Sequence, residues 1–324
     1  MKNLIAAKIS HDLQDLCQGR LVIVGRVHSV FDSALNVLLA DGGLATVMAA
    51  SRRLVPRGIA LNRDISFSET VAVRDGQDVD VVIDLRRAQT VCLAMPKLTS
   101  TAIDPSYYSE GMHTIARAIA ESEYASESLA PLLCHIFEPA PYHFVHNVYS
   151  EFLNERIRRF YIALSSPDIA ADKVYFSKMG ADIAGCGAGL TPSSDDFLVG
   201  VFAALFGAAA AGMLEHRGVM KLCRAVSDGA APRTTQISAN FIISGANGNF
   251  SETIIDVTAA FFSSRTFENA GVHSDVLQSK ILEAYKSELA DTAARLCAYG
   301  STSGADTLTG LWFGLAAVSR LVRL

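Results

Sequence analysis

The stretch Gly185-Cys186-Gly187-Ala188-Gly189-Leu190-Thr191-Pro192-Ser193-Ser194-Asp195-Asp196 runs directly into the uncharged segment Phe197 to Leu214. Three glycines in five residues cost backbone entropy, which suits a chain that must adopt positive φ or let a ligand approach its amides. A helix start immediately afterwards offers unpaired N–H groups and a positive dipole end, together a seat for an anion. The segment that follows is about as long as a marginal membrane span. Its many alanines and glycines make it only mildly apolar, and no tryptophan or basic flank stands on the Asp195-Asp196 side. It is predicted to be the buried central helix of a mostly helical domain.

Part of the loop recurs. Gly300-Ser301-Thr302-Ser303-Gly304-Ala305-Asp306 repeats the Gly-x-Thr-x-x-x-Asp frame of Gly189 to Asp195 at a constant offset of 111 residues, and an apolar stretch from Leu308 to Val318 follows. There Leu308, Leu311, Trp312, Leu315 and Val318 keep the spacing of a buried helical stripe. Gly310 and Gly314, like Gly200 and Gly207, lack side-chain bulk and would let two central helices pack closely, which would bring their N-terminal loops to one ligand. Chance or a purely structural role is the alternative for so short a frame. A third candidate seat is Arg233-Thr234-Thr235-Gln236-Ile237-Ser238 after Pro232, one guanidinium and three hydroxyls at a proline-started helix. Capping accounts for Thr234 or Thr235 but not for the whole cluster. In Asn247-Gly248-Asn249-Phe250-Ser251-Glu252, Asn249 and Glu252 have the spacing of a capping box.

Working outward, Asp104-Pro105-Ser106 separates two compositions. Residues 21–30, 34–40, 44–50, 70–74, 79–85 and 90–94 read as short strands, several divided by Asp-Gly turn signals, and predict a β-rich barrel or sandwich over 1–104. Polar residues from His28 to Asn36 interrupt the alternation, as a turn at Asp32-Ser33 or as a site edge. Helical periodicity fills 105–324, with helices expected over 107–123, 127–137, 145–164, 167–179, 195–214, 216–228, 234–246, 250–263, 273–286, 287–299 and 305–322. The fold class is α+β, a smaller β-rich domain followed by a larger α-helical one that carries the Gly/Thr/Ser loops.

The 324 residues are 50% hydrophobic and 19% charged, an ordinary globular composition. A formal charge of −5 argues against a phosphate-tracking surface, so nucleic acid is not an expected partner. Arg52-Arg53, Arg86-Arg87 and Arg156 to Arg159 read as solvated faces. Six dispersed cysteines with no Cys-x-x-Cys pair, and an N-terminus without an apolar signal core, point to a reduced cytoplasm. His135, His143 and His146 match no zinc spacing, and neither a P-loop nor a dinucleotide fingerprint is present. No metal ligand set is expected.

The backbone amides with Thr191, Ser193, Ser194, Thr302 and Ser303 make a donor-rich surface for phosphate or carboxylate oxygens. Asp195, Asp196 and Asp306 complicate it, since beside a phosphate they repel the ligand. Either they are caps or acceptors pointing elsewhere, or Mg²⁺ bridges them to it. Cys186 sits among amides that could lower its pKa, though a small residue in a crowded turn explains it more simply.

Gly189-Leu190-Thr191-Pro192-Ser193-Ser194-Asp195-Asp196-Phe197-Leu198, with Thr234-Thr235-x-x-Ser238 and Thr302-Ser303-Gly304-x-Asp306-x-Leu308-x-Gly310, resembles the bacterial family that includes the AllH-type subunit of oxamate carbamoyltransferase. Ser29-Val30-Phe31 and Ala34-Leu35-Asn36 fit it too. The chain departs from the family at Ser194, where glycine is usual. The resemblance implies transfer of a carbamoyl group between carbamoyl phosphate and oxamate in allantoin-linked purine catabolism, alongside two other subunit types. It implies Asp195, Asp196 and Asp306 as catalytic groups. For substrate it implies Gly187, Gly189, Thr191, Ser193, Ser194, Arg233, Thr234, Thr235, Ser238, Thr302, Ser303 and Gly304, with Asn36 and Asp195 toward oxamate. A phosphate cradle and fixed donors for a tetrahedral oxyanion are what such a reaction needs. The expected partners are a small anion and other carbamoyltransferase subunits, with no membrane and no firm cofactor. Two alternatives stand beside this: an Mg²⁺-dependent phosphotransferase or ligase using the same aspartates, and a non-catalytic partner subunit.

Overall fold

The computed structural model describes residues 2–14, 21–71, 79–98, 104–135, 144–166, 172–263 and 275–323. The chain forms two compact units, Met1–Ala94 with Phe250–Glu252, and Met95–Asn249 with Thr253–Leu324.

The first unit is a barrel. Strands β1 (Lys2–Ser10), β2 (Val22–Val30), β3 (Ala34–Leu38), β4 (Leu44–Met48), β5 (Gly58–Leu61), β6 (Asp80–Asp84) and β7 (Gln89–Val91) lie in the order β5-β4-β3-β2-β6-β1-β7, and a β5–β1 pairing closes the first six. Strand β7 extends one end of β1. Closure leaves no open edge among the six, and inward residues such as Leu4, Ile23, Leu35, Val37, Val47, Ile59 and Ile83 fill the interior. A short helix, α1 (Phe67–Thr70), where Ser66 accepts from the Glu69 N–H, ends at the first residue of the strand expected at 70–74, of which 72–74 lie outside the described residues.

Two strands escape sequence reading for physical reasons. Pairing of β1 with β5 shifts between Ala6 and Lys8, so a bulge breaks the two-residue period. All four residues of β5 are buried, which leaves no polar face to reveal it.

The second unit is helical: α2 (Pro105–Ala120), α3 (Val148–Leu164), α4 (Lys173–Ile183), α5 (Ser193–Ala210), α6 (His216–Ala230), α7 (Gln236–Ala246), α8 (Glu252–Phe262, whose first residue belongs to the barrel unit), α9 (Asp275–Cys297) and α10 (Ser303–Val322). The segment expected as a helix at 127–137 holds a 3-10 helix, Ala130–His135. The pair of helices expected over 273–299 is the single helix α9, because Lys286-Ser287 contains no residue that breaks one. No Asn249–Glu252 capping box holds the start of α8; the Glu252 carboxylate instead accepts from the Leu54 N–H at 2.8 Å and pairs with Arg53.

Helix α5 has the length and composition of a membrane span, with a mean hydropathy of 1.3, but 83% of it is buried inside the protein. Its main partner is α10. A Cβ on Gly200 would sit 1.9 Å from the Thr307 carbonyl oxygen, and one on Gly310 would sit 1.9 Å from that of Phe197. Only hydrogen fits at both crossings, so the two backbones approach closely. Gly314 meets Ala204 on the same seam, whereas Gly207 packs on Thr258 and Phe262 of α8. Trp312 is buried and donates to the Met112 carbonyl at 3.2 Å.

Candidate functional site

The tight α5–α10 seam fixes where the two helices begin. Their preceding loops touch: the Thr191 and Ser303 hydroxyls are 3.0 Å apart and hydrogen-bonded. The repeat frame is therefore a spatial pairing.

Both helix starts lack a side-chain cap, Pro192 preceding α5 and Thr302 preceding α10. In the same unit Asp104, Asn147, Asp172, Glu215 and Thr235 cap α2, α3, α4, α6 and α7. Backbone carbonyls serve several first-turn N–H groups in place of a cap, Ser194 donating to Cys186 at 3.0 Å, Asp195 to Pro192 at 2.9 Å and Gly304 to Tyr299 at 3.0 Å, and the dipole ends of two long helices meet at the junction. The glycine loop adds donors to them. Its amides from Gly187 to Thr191 make no hydrogen bond among the described residues, while those of Gly185 and Cys186 are taken by Asp195 and Ser194. Gly187, at φ +140°, has the Ser193 amide nitrogen 2.2 Å from where a Cβ would lie; any side chain would force the loop off the helix start.

The three aspartates do different things, and none is the helix cap that the sequence allowed. Asp195 is 1% exposed and saturated by neighbours. Its Oδ1 accepts from the Gly185 N–H at 2.8 Å and, at 3.5 Å, from the Ser194 hydroxyl. Its Oδ2 accepts from the Ser238 hydroxyl at 2.7 Å and from the Thr234 hydroxyl. Asp195 therefore ties the glycine loop to the start of α7. The Thr235 hydroxyl adds a bond to the Leu190 carbonyl while capping α7 itself. These hydroxyls are turned into the protein. Arg233 is left exposed, and its guanidinium has no partner among the described residues.

Asp196 and Asp306 are not saturated. Asp306 is fully buried; Oδ1 accepts from the Leu129 N–H at 2.7 Å and Oδ2 has no partner. Asp196 Oδ2 is likewise buried without a partner. Burial, and after it the charge of Asp306, holds the Asp196 carboxyl well above the usual carboxylate range; the Thr191 and Ser303 hydroxyls beside it oppose the shift. Burial also raises Asp306, against the Leu129 N–H and the Ser193 and Thr302 hydroxyls. Two carboxyls in this relation do not both ionise without a proton or a cation between them.

The remaining expected residues are placed as follows. Ser194 lies in the first turn of α5 and its hydroxyl accepts from the Cys186 N–H at 2.9 Å, so this side chain braces the loop. Gly304 is a packing position, since a Cβ there would meet the Leu296 carbonyl at 1.8 Å. Cys186 is a raised thiol: burial outweighs the charge of nearby Arg156. Arg156 stands apart from Arg158 and Arg159, which pair with Glu155, and stacks over Phe152 at 3.9 Å. Asn36 belongs to the barrel unit and uses both ends of its amide there, with Ser29 at 2.9 Å and Thr46 at 2.8 Å. Among the described residues no group of three or more His, Cys, Asp or Glu could hold a metal, and His143 lies outside them. The Leu129 amide was not legible beforehand, because a backbone N–H has no residue-type signature. Arg156 was hidden in a run that reads as a solvated face.

Residues 183–315, which contain this junction, match a family model described as oxamate carbamoyltransferase subunit AllH, and residues 5–99 match the AllH family N-terminal domain. The chain belongs to the AllH family. The two matches cover most of its length, one over the barrel and one from α4 to α10. No curated protein and no solved structure matches it. Membership in the AllH family points to a subunit of a carbamoyltransferase and so to other subunits.

Proposed function

We propose that this AllH chain binds carbamoyl phosphate at the α5–α10 junction and takes part in carbamoyl transfer between it and oxamate or a similar small amide-bearing carboxylate. What carries the reading is the Thr191–Ser303 hydrogen bond, which gathers two uncapped helix starts and the unpaired amides of 187–191 into one donor surface. In this reading the amides and hydroxyls cradle the phosphate, and Arg233 supplies the mobile cation. Attack of the acceptor nitrogen on the carbamoyl carbon forms a C–N bond as the C–O bond to phosphate breaks, and the proton lost by the nitrogen leaves with the released phosphate. The developing oxyanion needs fixed donors, and amides held by a folded loop cost little reorganisation. Asp195 is a positioning residue here, keeping the loop in its binding shape. A second reading, a phosphotransferase or ligase, is favoured by the two unsatisfied carboxylates and keeps the same anion seat.

The test is calorimetric titration of the protein, alone and with its partner subunits, with carbamoyl phosphate and with inorganic phosphate. Binding is expected, and Ser303→Ala together with Thr191→Val should weaken it by about tenfold for each lost charge-assisted bond, at about 1.4 kcal/mol per decade. A folded protein that binds neither anion, alone or assembled, removes the proposal.

A further inference from the structure

Asp306 Oδ2 is an unpartnered oxygen on a side chain with 0% exposure, and it lies at the meeting point of two helix starts. Asp196 Oδ2 is a second such oxygen, on the neighbouring helix. A buried carboxylate oxygen without a donor is costly, so it persists where something outside the chain satisfies it. The hydroxyls of Thr191 and Ser303 favour the ionised form of Asp196, and those of Ser193 and Thr302 the ionised form of Asp306. Charge accounting leaves room for a cation. With both carboxyls ionised, two dipole ends of roughly +0.5 each leave about one negative charge, which a proton compensates in the empty site and a bound cation would compensate in its place. Asp195 adds nothing free, because its oxygens are already taken.

We propose that Asp196 and Asp306 hold a divalent cation of the Mg²⁺ or Mn²⁺ class, through their unpartnered Oδ2 atoms, and that this ion joins the α5–α10 junction to a phosphate oxygen of the bound substrate. The ligand chemistry selects the class. Two carboxylates with hydroxyls suit a small hard cation that keeps several waters and takes the rest of its shell from phosphate. They are too few for Ca²⁺, and no histidine or thiolate set for Zn²⁺ occurs among the described residues. The ion also removes the conflict of placing a phosphate beside carboxylates, since it sits between like charges. The inference rests on the anion seat proposed above for its phosphate half, and on the carboxylate pair alone for its metal half.

The experiment is Mn²⁺ titration followed by electron paramagnetic resonance, which reads free Mn²⁺ directly, with and without inorganic phosphate. It uses the wild-type protein, Asp306→Asn and Asp196→Asn, each checked for native circular dichroism. The wild type should bind Mn²⁺, phosphate should tighten it, and Asp306→Asn should weaken it by at least about tenfold. Asp306→Asn keeps an acceptor for the Leu129 N–H, so it retains the fold contact while losing the charge. If Asp196→Asn does not fold, Asp306→Asn decides alone. No Mn²⁺ binding at millimolar concentration with phosphate present, or equal affinity in wild type and Asp306→Asn, overturns the proposal. Mn²⁺ held by the wild type and lost from the variant, with no effect of phosphate, keeps the metal and overturns the anion seat instead.

Discussion

Replacing Asp195 with alanine tests the idea that this residue holds the site together. Its carboxylate receives the Gly185 N–H at 2.8 Å and the Ser238 hydroxyl at 2.7 Å, with the Thr234 hydroxyl as a third close donor. Hydrogen bonds to a charged group are worth about 1.5–3 kcal/mol each. Ser238 is 1% exposed and gains no water when its acceptor leaves, so it bears the full cost. Gly185 and Thr234 are more accessible and recover part of theirs from solvent. The sum for Asp195→Ala is a loss of about 3–5 kcal/mol, in the range for removing one member of a buried polar network. Asp195→Asn keeps one acceptor oxygen and lets the hydroxyls turn to accept from the new NH₂ group, so about 1–2 kcal/mol is expected. Urea unfolding followed by far-ultraviolet circular dichroism measures both. An Asp195→Ala protein within about 1 kcal/mol of wild type that nonetheless binds no phosphate would refute the reasoning, making Asp195 a ligand group and not a clamp.

Other outcomes are expected from the same contacts. Gly310→Ala pushes a methyl group into the Phe197 carbonyl and should cost about 3 kcal/mol, the upper end for overpacking, whereas Gly189→Ala meets open space and pays only for its φ of +86°, about 1–2 kcal/mol; urea midpoints that rank them the other way would contradict the seam. Because burial raises the Cys186 thiol, it should be mostly protonated at pH 8 and react with iodoacetamide more slowly than a small free thiol; faster labelling would place a stronger positive field at the loop. Asp84 is held at about 2, chiefly by the Arg86 side chain, so it stays ionised until the pH falls through that value; in Arg86→Ala its carboxyl ¹³C titration should move up toward the ordinary range, and an unmoved midpoint would assign the depression to the backbone alone.

The α+β division, the place of the barrel and the approximate positions of the long helices among the described residues follow from local pattern: turn signals between β-branched runs, then 3.6-residue periodicity. The bulged β1 and the wholly buried β5 are not legible in that way, because one breaks the two-residue period and the other has no polar face. The site divides along the same line. The glycines, hydroxyls and aspartates of 185–196 and 300–306 are visible as residue types with a repeated spacing. What each aspartate does depends on its partners, and these arrive from afar: Thr234 and Ser238 for Asp195, Leu129 for Asp306. Three acids that look alike in the chain become one saturated clamp and two oxygens awaiting a partner, because hydrogen bonding and burial are set by packing and not by the order of residues. The close α5–α10 crossing, with a hydrogen atom where any side chain would strike a carbonyl, is what turns a repeated pattern into a single place.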